Sequence, residues 1–297
     1  MVPLDATSES RHAIPLALTL AERLHGRLEL VHVDAPLAIG GDISNPHGAA
    51  DRLPPNTVDE TGRHLGGLAT EIARVRHVAV ETFVVPSADF ARALADHATQ
   101  TRPEFVVMTT HDHGRIERML LGSVSEAFIR QVHAPVIVVK HSTETVSFSQ
   151  QVLVRHILFT LDRSAFAGGV HPYVVTLAKT MGARVTTLTV EGPSVPAAPP
   201  GLSPLVAAHG ARDAEELSAE AEAEKLRVDG ITATSAVVTD HNPGDAITAY
   251  ALAHDADLIA MATHGRRGLV RLGAGSVATQ VLHHTRLPVL MYRPPAE

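Results

Sequence analysis

Short apolar runs alternate along this chain with longer stretches whose apolar residues recur at helical spacing. In the second half the runs at 157–161, 185–190, 232–238, 258–262 and 289–292 are β-branched or aliphatic and predict strands. Between them, 164–181, 211–229, 244–254 and 276–285 carry helix-like spacing, and Gly182 closes the first of these as a natural helix C-terminal residue. The uncharged stretch 192–211 holds Pro193, Pro196, Pro199, Pro200 and Pro204 and predicts a loop. The first half repeats the order, with strands at 28–33, 77–85, 105–109 and 136–140 and helices at 58–75, 88–100 and 123–133. Its first strand is only a stub before Asp5. Strand and helix alternate throughout, which predicts α/β architecture with parallel sheets and crossover helices.

The two halves share more than a rhythm. Residues 111–123 read HDHGRIERMLLGS and residues 264–276 read HGRRGLVRLGAGS. His111 and His264, Gly122 and Gly275, Ser123 and Ser276, and Pro135 and Pro288 are all separated by the same 153 residues. A constant spacing over that many residue types predicts a tandem duplication, with domains at 1–142 and 150–297. The polar, aperiodic stretch 142–150 then serves as the linker.

Composition narrows the class. The 297 residues suit two domains of ordinary size. With 45% hydrophobic residues but no Trp and 3% aromatics, the cores must be aliphatic and Ala-rich. The absence of Cys excludes disulfides and Cys-based zinc sites. A net charge of −7 argues against a nucleic-acid backbone as partner. No run resembles a membrane span or a signal peptide, which predicts a soluble cytoplasmic protein with no membrane partner. The acidic run 215–224 reads as the exposed face of an amphipathic helix.

The repeated motif has chemistry to offer. In an open parallel sheet, ligands bind outside the carboxyl ends of the strands where the strand order reverses. Asp162 ends the first strand of the second copy, and Thr263 and Gly265 follow its fourth. The glycines allow close backbone approach to a phosphate, and Ser276 opens a helix whose free N–H groups suit an anion. A carboxylate such as Asp162 accepts hydrogen bonds from an amino group or hydroxyl. The alternative, tight turns and a helix cap, stands beside this reading. Arg266, Arg267 and Arg271 are either phosphate partners or solvated loop cations. His111 and His113 make a weak candidate metal pair. No nucleophile elbow, HExxH or Walker lysine is present, so no catalytic residue is assigned and no metal site is expected.

These residues resemble the universal stress protein family over nearly the whole chain, as two domains in tandem. The family pattern places Gly-x2-Gly-x9-Gly-Ser/Thr after the fourth strand and Pro-x-Asp-x-Ser at the end of the first. The segments VPLDAT (residues 2–7) and FTLDRS (residues 159–164) are similar to the second element. The resemblance implies two Rossmann-like domains, each with a five-stranded parallel sheet of order 3-2-1-4-5, often dimeric, and in one branch bound ATP, with or without Mg. By that resemblance Asp162 meets adenine beside the main chain of Val190. Thr263, Gly265, Gly275 and Ser276 hold ribose and phosphates, and Asp5, Gly122 and Ser123 are their first-copy counterparts.

Departures from the pattern separate the copies. The family's first Gly is Ala262 in the second copy and Thr109 in the first; its second is kept as Gly265 but is Asp112 in the first. A carboxylate about 4 Å from a phosphate charge costs roughly 4 kcal/mol at an effective dielectric near 20. Binding is therefore expected chiefly in the second copy. The function expected is a nucleotide-responsive regulatory role in stress response, with slow ATP hydrolysis at most. Alternatives are a member that acts only through its surface, an ATP-hydrolysing enzyme, and a metal-dependent enzyme using the histidines. The edge-strand hazard further predicts that the copies pair through their fifth strands as an internal pseudo-dimer, with a homodimer of chains also open.

Overall fold

The computed structural model describes residues 1–5, 7–35, 55–110, 123–162, 165–192, 204–263 and 276–293; the side chains of residues 55–59, 123, 165–167, 204–215 and 276 fall outside that description. The chain divides into two compact units, Met1–Val152 and Leu153–Glu297. Each is an α/β domain with the same order of elements. The first runs β1 (Val2–Leu4), a short 3-10 helix (Glu9–Ala13), α1 (Ile14–Arg23), β2 (Arg27–Asp34), α2 (Pro55–Val75), β3 (Ala79–Pro86), α3 (Phe90–Thr101), β4 (Val106–Thr110), α4 (Ser123–Gln131) and β5 (Val136–Lys140). The second runs β6 (His156–Leu161), α5 (Ala165–Met181), β7 (Arg184–Glu191), α6 (Pro204–Val228), β8 (Ala233–Thr239), α7 (Pro243–Ala253), β9 (Leu258–Ala262), α8 (Ser276–His284) and β10 (Val289–Tyr292).

Within the second unit the described strands pair in parallel, and β6 is the hub. It pairs with β7 on one side and β9 on the other; β8 follows β7, and β10 follows β9. The resulting order, β8-β7-β6-β9-β10, is the expected 3-2-1-4-5. The central strands are buried on both faces, as helices on either side of a parallel sheet require; Ile157, Leu158, Phe159, Leu258, Ile259 and Ala260 are all inaccessible to solvent. Right-handed crossovers send α5 and α6 to one face and α7 and α8 to the other, where α7 packs on α8. Thr187 Oγ1 donates to Ala219 O at 2.9 Å and pins α6 to β7.

The first unit departs from a continuous five-stranded sheet. β1, β2 and β3 form one parallel ladder and β4 and β5 another. Two backbone bonds join them: Met1 N to Phe105 O at 3.0 Å and Val107 N to Met1 O at 2.9 Å. The physical reason is length. A strand of three residues has too few backbone groups to sustain a ladder on both sides.

Three further expectations are corrected. The first-half helix α1 has no counterpart in the pattern reading, because seven of its ten residues are buried and it shows no polar stripe. Helix α6 begins at Pro204, inside the stretch read as loop; Pro suits a first helical turn, where its missing N–H has no partner to lose. Residues 142–150 are not a free linker. Phe148 is buried, Arg76 Nη1 donates to Phe148 O (3.3 Å) and Gln150 O (3.0 Å), and Val152 N donates to Thr19 Oγ1 (3.1 Å). This stretch is fastened to the first unit. Among the described residues no helix is long and apolar enough to cross a membrane.

Candidate functional site

Parallel pairing sets the second-copy site. β6 and β9 are neighbours, with Phe159 opposite Ala260, and β6 and β7 are neighbours, with Leu161 opposite Thr189. The carboxyl ends of all three strands therefore lie on one edge of the sheet. Asp162 follows β6 directly and is exposed. Val190 is the penultimate residue of β7 and faces Val238 of β8. Thr263 follows β9; it is 2% exposed and its N–H donates to Tyr292 O at 3.1 Å, extending the β9–β10 ladder by one bond. Ser276 opens α8, which returns from the same edge. Residues about one hundred apart in sequence thus converge where the strand order reverses. Gly265 and Gly275 lie outside the described residues, as do Arg266, Arg267 and Arg271.

In the first copy Asp5 follows β1 and is engaged by its own chain: its Oδ1 accepts from Thr7 N at 2.8 Å and from Thr7 Oγ1 at 2.6 Å. Ser123 opens α4, while Gly122 and the His111, Asp112 and His113 segment lie outside the described residues. Beside Asp5 is a feature that sequence reasoning missed. A cavity of about 280 Å³ is lined by Leu4, Asp5, Ser10, Arg11, His32, Glu60, Thr61, His64, Leu65 and Leu68. Its polar residues come from the residue after β1, the 3-10 helix, β2 and α2, so no local motif announces it. The one available signal was His32, a polar residue inside an apolar strand.

A second missed group lies in the other unit. His171 Nδ1 is 2.6 Å from Glu222 Oε1, His171 Nε2 is 3.0 Å from Asp229 Oδ2, and Lys225 Nζ is 2.8 Å from Glu222 Oε2. Glu222 is 6% exposed, so this member of the acidic run lies off the exposed face expected for it. Its neighbours Glu216, Glu220 and Glu224 are exposed as expected. Among the described residues no group of three or more His, Cys, Asp and Glu is arranged to hold a metal ion.

The fold, parallel strands alternating with helices in each of two units, defines the class as a tandem α/β protein. The model of the universal stress protein family matches residues 1–140 and again 154–293. The chain belongs to that family and carries its domain twice. A universal stress protein of Methanocaldococcus jannaschii is 24% identical over 140 residues, 47% of this chain and 80% of that relative. One of Mycobacterium tuberculosis is 28% identical over 198 residues, 64% of this chain and 62% of that relative. Among solved structures, a universal stress protein from Archaeoglobus fulgidus superposes with a TM-score of 0.68 at 19% identity, over 98% of this chain and 94% of that one. A functionally unknown protein from Pseudomonas aeruginosa gives 0.66 at 14% identity, over 99% and 91%. At such identities the structural likeness speaks to the fold.

Proposed function

We propose that this protein is an adenine-nucleotide-responsive regulator of the stress response, binding ATP in its second copy and acting in the cytoplasm. The observation that carries the reading is the pairing of β6 with both β9 and β7, which puts Asp162, Val190 and Thr263 on the edge from which the helix opened by Ser276 returns. Asp162 accepts from the adenine amino group, and the N-terminus of α8 receives phosphate through its free N–H groups. Gly265 and Gly275 allow the backbone to come close. The nucleotide supplies a charged, hydrolysable ligand; the chain supplies recognition, and the site holds no group assigned to catalysis.

Calorimetry of the full chain with ATP tests this. Asp162→Ala and Gly275→Val should each weaken binding at least tenfold, while the equivalent changes Asp5→Ala and Gly122→Val leave it within a factor of about two. Equal loss from the first-copy and second-copy variants would refute the assignment to the second copy. The same reading includes association of the two copies through β5 and β10, on the argument that a last strand left open at a sheet edge is a hazard. After cleavage between residues 152 and 153 the fragments should co-elute on gel filtration, and separate elution refutes the pairing.

A further inference from the structure

The cavity of the first copy has a chemistry of its own. Its floor is apolar: Leu4, Leu65 and Leu68 are all buried. Above the floor Arg11 Nη2 donates to His64 Nε2 at 3.0 Å. That bond fixes the lone pair of His64 on Nε2, so in the neutral ring the proton sits on Nδ1, which has no partner among the described residues. Arg11 likewise has no carboxylate partner among them, so its remaining N–H groups stay available. Together they form a pair of donors for one anionic group. His32 works in the opposite sense. Its Nδ1 donates to Leu4 O at 3.0 Å, which leaves Nε2 as an acceptor. Glu60 on α2 adds a carboxylate to the same lining. An anion-seeking pair, a donor-seeking pair and an aliphatic floor thus share one cavity.

We propose that the first copy binds a small zwitterion with an apolar tail, of the class of a branched-chain α-amino acid. Its carboxylate pairs with Arg11 and His64, its ammonium with His32 and Glu60, and its side chain rests on Leu4, Leu65 and Leu68. Size supports the class. The cavity, at about 280 Å³, lies just below the roughly 300–1,000 Å³ of ordinary cofactor and drug-sized pockets. Charge is compatible with it: the lining sets a cation, Arg11, and carboxylates, Asp5 and Glu60, for the two ends of a zwitterion. The arrangement belongs to the first copy. Counting from Asp5 and Asp162, the second copy has Gly168 in place of Arg11 and Thr189 in place of His32. The tandem chain therefore carries two unlike ligand sites, and this inference stands independently of nucleotide binding in the second.

Saturation-transfer NMR and calorimetry on the full chain, with L-leucine as probe, test it. L-leucine should receive saturation from the protein at roughly 10 mM or below. Leucinamide, which lacks the carboxylate, and 4-methylpentanoate, which lacks the ammonium, should each bind about tenfold more weakly or worse, as expected for the loss of a charge-assisted bond. Arg11→Ala should weaken leucine by a similar factor, and Arg11→Lys, which keeps the charge and loses the planar fork, by less. Both variants change a partly exposed side chain, and a circular dichroism spectrum checks their fold. Saturating ATP should leave leucine affinity unchanged. Absence of saturation transfer, equal binding of leucine and leucinamide, or unchanged affinity in Arg11→Ala would overturn the proposal. Displacement of leucine by ATP in the Asp162→Ala protein would assign the cavity to nucleotide and overturn it as well. A chain that binds leucine but no ATP sinks only the proposed function of the second copy.

Discussion

The two copies solve one packing problem in opposite ways. Where the helix after the first strand meets the helix after the second, the first copy places Ile14 and Leu68, both buried. The second copy, counted from Asp5 and Asp162 and from the buried pair Ile72 and Leu226, places His171 and Glu222 there, with Asp229 and Lys225 around them. The ring sits within hydrogen-bond distance of two carboxylates, so the second seam is polar and directional where the first is apolar. The comparison teaches that one fold tolerates either seam provided both partners change together. Half of either seam is the costly state, because it leaves a charge or a polar ring facing an apolar wall.

His171→Ala should therefore cause the largest loss, about 3 kcal/mol from the second unit, because Glu222 stays buried with Lys225 as its remaining partner. The double change His171→Ile with Glu222→Leu, which rebuilds the first-copy seam, should recover most of that loss. The measurement is convenient. The chain has no Trp, and its three tyrosines, Tyr173, Tyr250 and Tyr292, all lie in the second unit. Tyrosine fluorescence during urea unfolding thus reports the second unit alone. A double variant less stable than His171→Ala would break the comparison.

The first unit has its own buried ion pair, placed elsewhere. Arg76 of the turn after α2 grips Glu22 of α1 through two nitrogens and caps the carbonyls of Phe148 and Gln150. The Arg76 side chain is 5% exposed and that of Glu22 24%. Arg76→Ala should cost about 2–3 kcal/mol, somewhat below the range for a fully enclosed pair because Glu22 is reached by solvent. It should also release residues 146–152, read as faster hydrogen exchange there with no change in the second unit. The hydrogen bond from Arg76 holds the Glu22 carboxyl below its ordinary value of 4.5. A carboxyl depressed on folding contributes stability that is complete above that value and is lost as pH falls through the folded one. Glu22→Gln should flatten the acid-side decline of the first unit below about pH 4.5. An unchanged decline would remove the pair from the acid response.

How far the sequence reveals this molecule depends on whether an element is local. Strands β6, β9 and β10 are short apolar runs with a clear start and stop, and the repeated Gly-Ser before a helix marks Ser123 and Ser276 as helix openings. Helix α1 was hidden because Ile14, Leu16, Ala17, Leu18, Leu20 and Ala21 are buried around most of its circumference, so its residues show no contrast to be periodic. The opening of α6 was hidden by the prolines that precede it. Glu222 looked solvated because what buries it, His171, is 51 residues away. The first-copy cavity was hidden for the same reason. Arg11, His32 and His64 meet only after three elements are assembled.

A smaller effect is expected where α7 meets α8. A Cβ on Gly244 would fall on the Cβ and side-chain amide of Gln280. The first copy, counted from the helix-leading residues Asp89 and Asn242, has Ala91 in place of Gly244 and Ala127 in place of Gln280. Small-against-large in one copy answers small-against-small in the other, which is how a filled interface conserves volume. Gly244→Ala should cost about 1–2 kcal/mol by overpacking. Adding Gln280→Ala should recover it, again by tyrosine fluorescence. A neutral Gly244→Ala would show that Gln280 swings aside.

The smallest expected effect concerns the amino ends of the strands. There the first copy sets Glu29 of β2, buried, with its Oε2 3.6 Å from His97 Nε2 and its Oε1 bonded by Arg27. The equivalent of Glu29 in the second copy is Thr186, which lies 2.8 Å from His156 Nε2 and 3.2 Å from Thr234 Oγ1. An ionisable cluster in one unit is a hydroxyl relay in the other, closed by a histidine whose Nδ1 is 3.0 Å from His254 O. Burial, and then the guanidinium of Arg184, lower the pKa of His156 below its ordinary 6.5. Burial favours the neutral ring, which lies between the His254 carbonyl, the Arg184 guanidinium and the Thr186 hydroxyl. The sign follows. Above pH 6.5 the ring is neutral folded or unfolded, and the contribution is complete; as pH falls below 6.5 the unfolded chain takes up the proton first, and stability is lost until the folded ring also protonates. One proton limits the slope to about 1.4 kcal/mol per pH unit. The second unit should therefore lose stability between pH 6.5 and 5 in tyrosine-monitored unfolding, and His156→Asn, whose amide keeps a donor and an acceptor, should remove that part of the slope. Equal slopes in the wild type and His156→Asn would show that the relay carries no proton-linked stability.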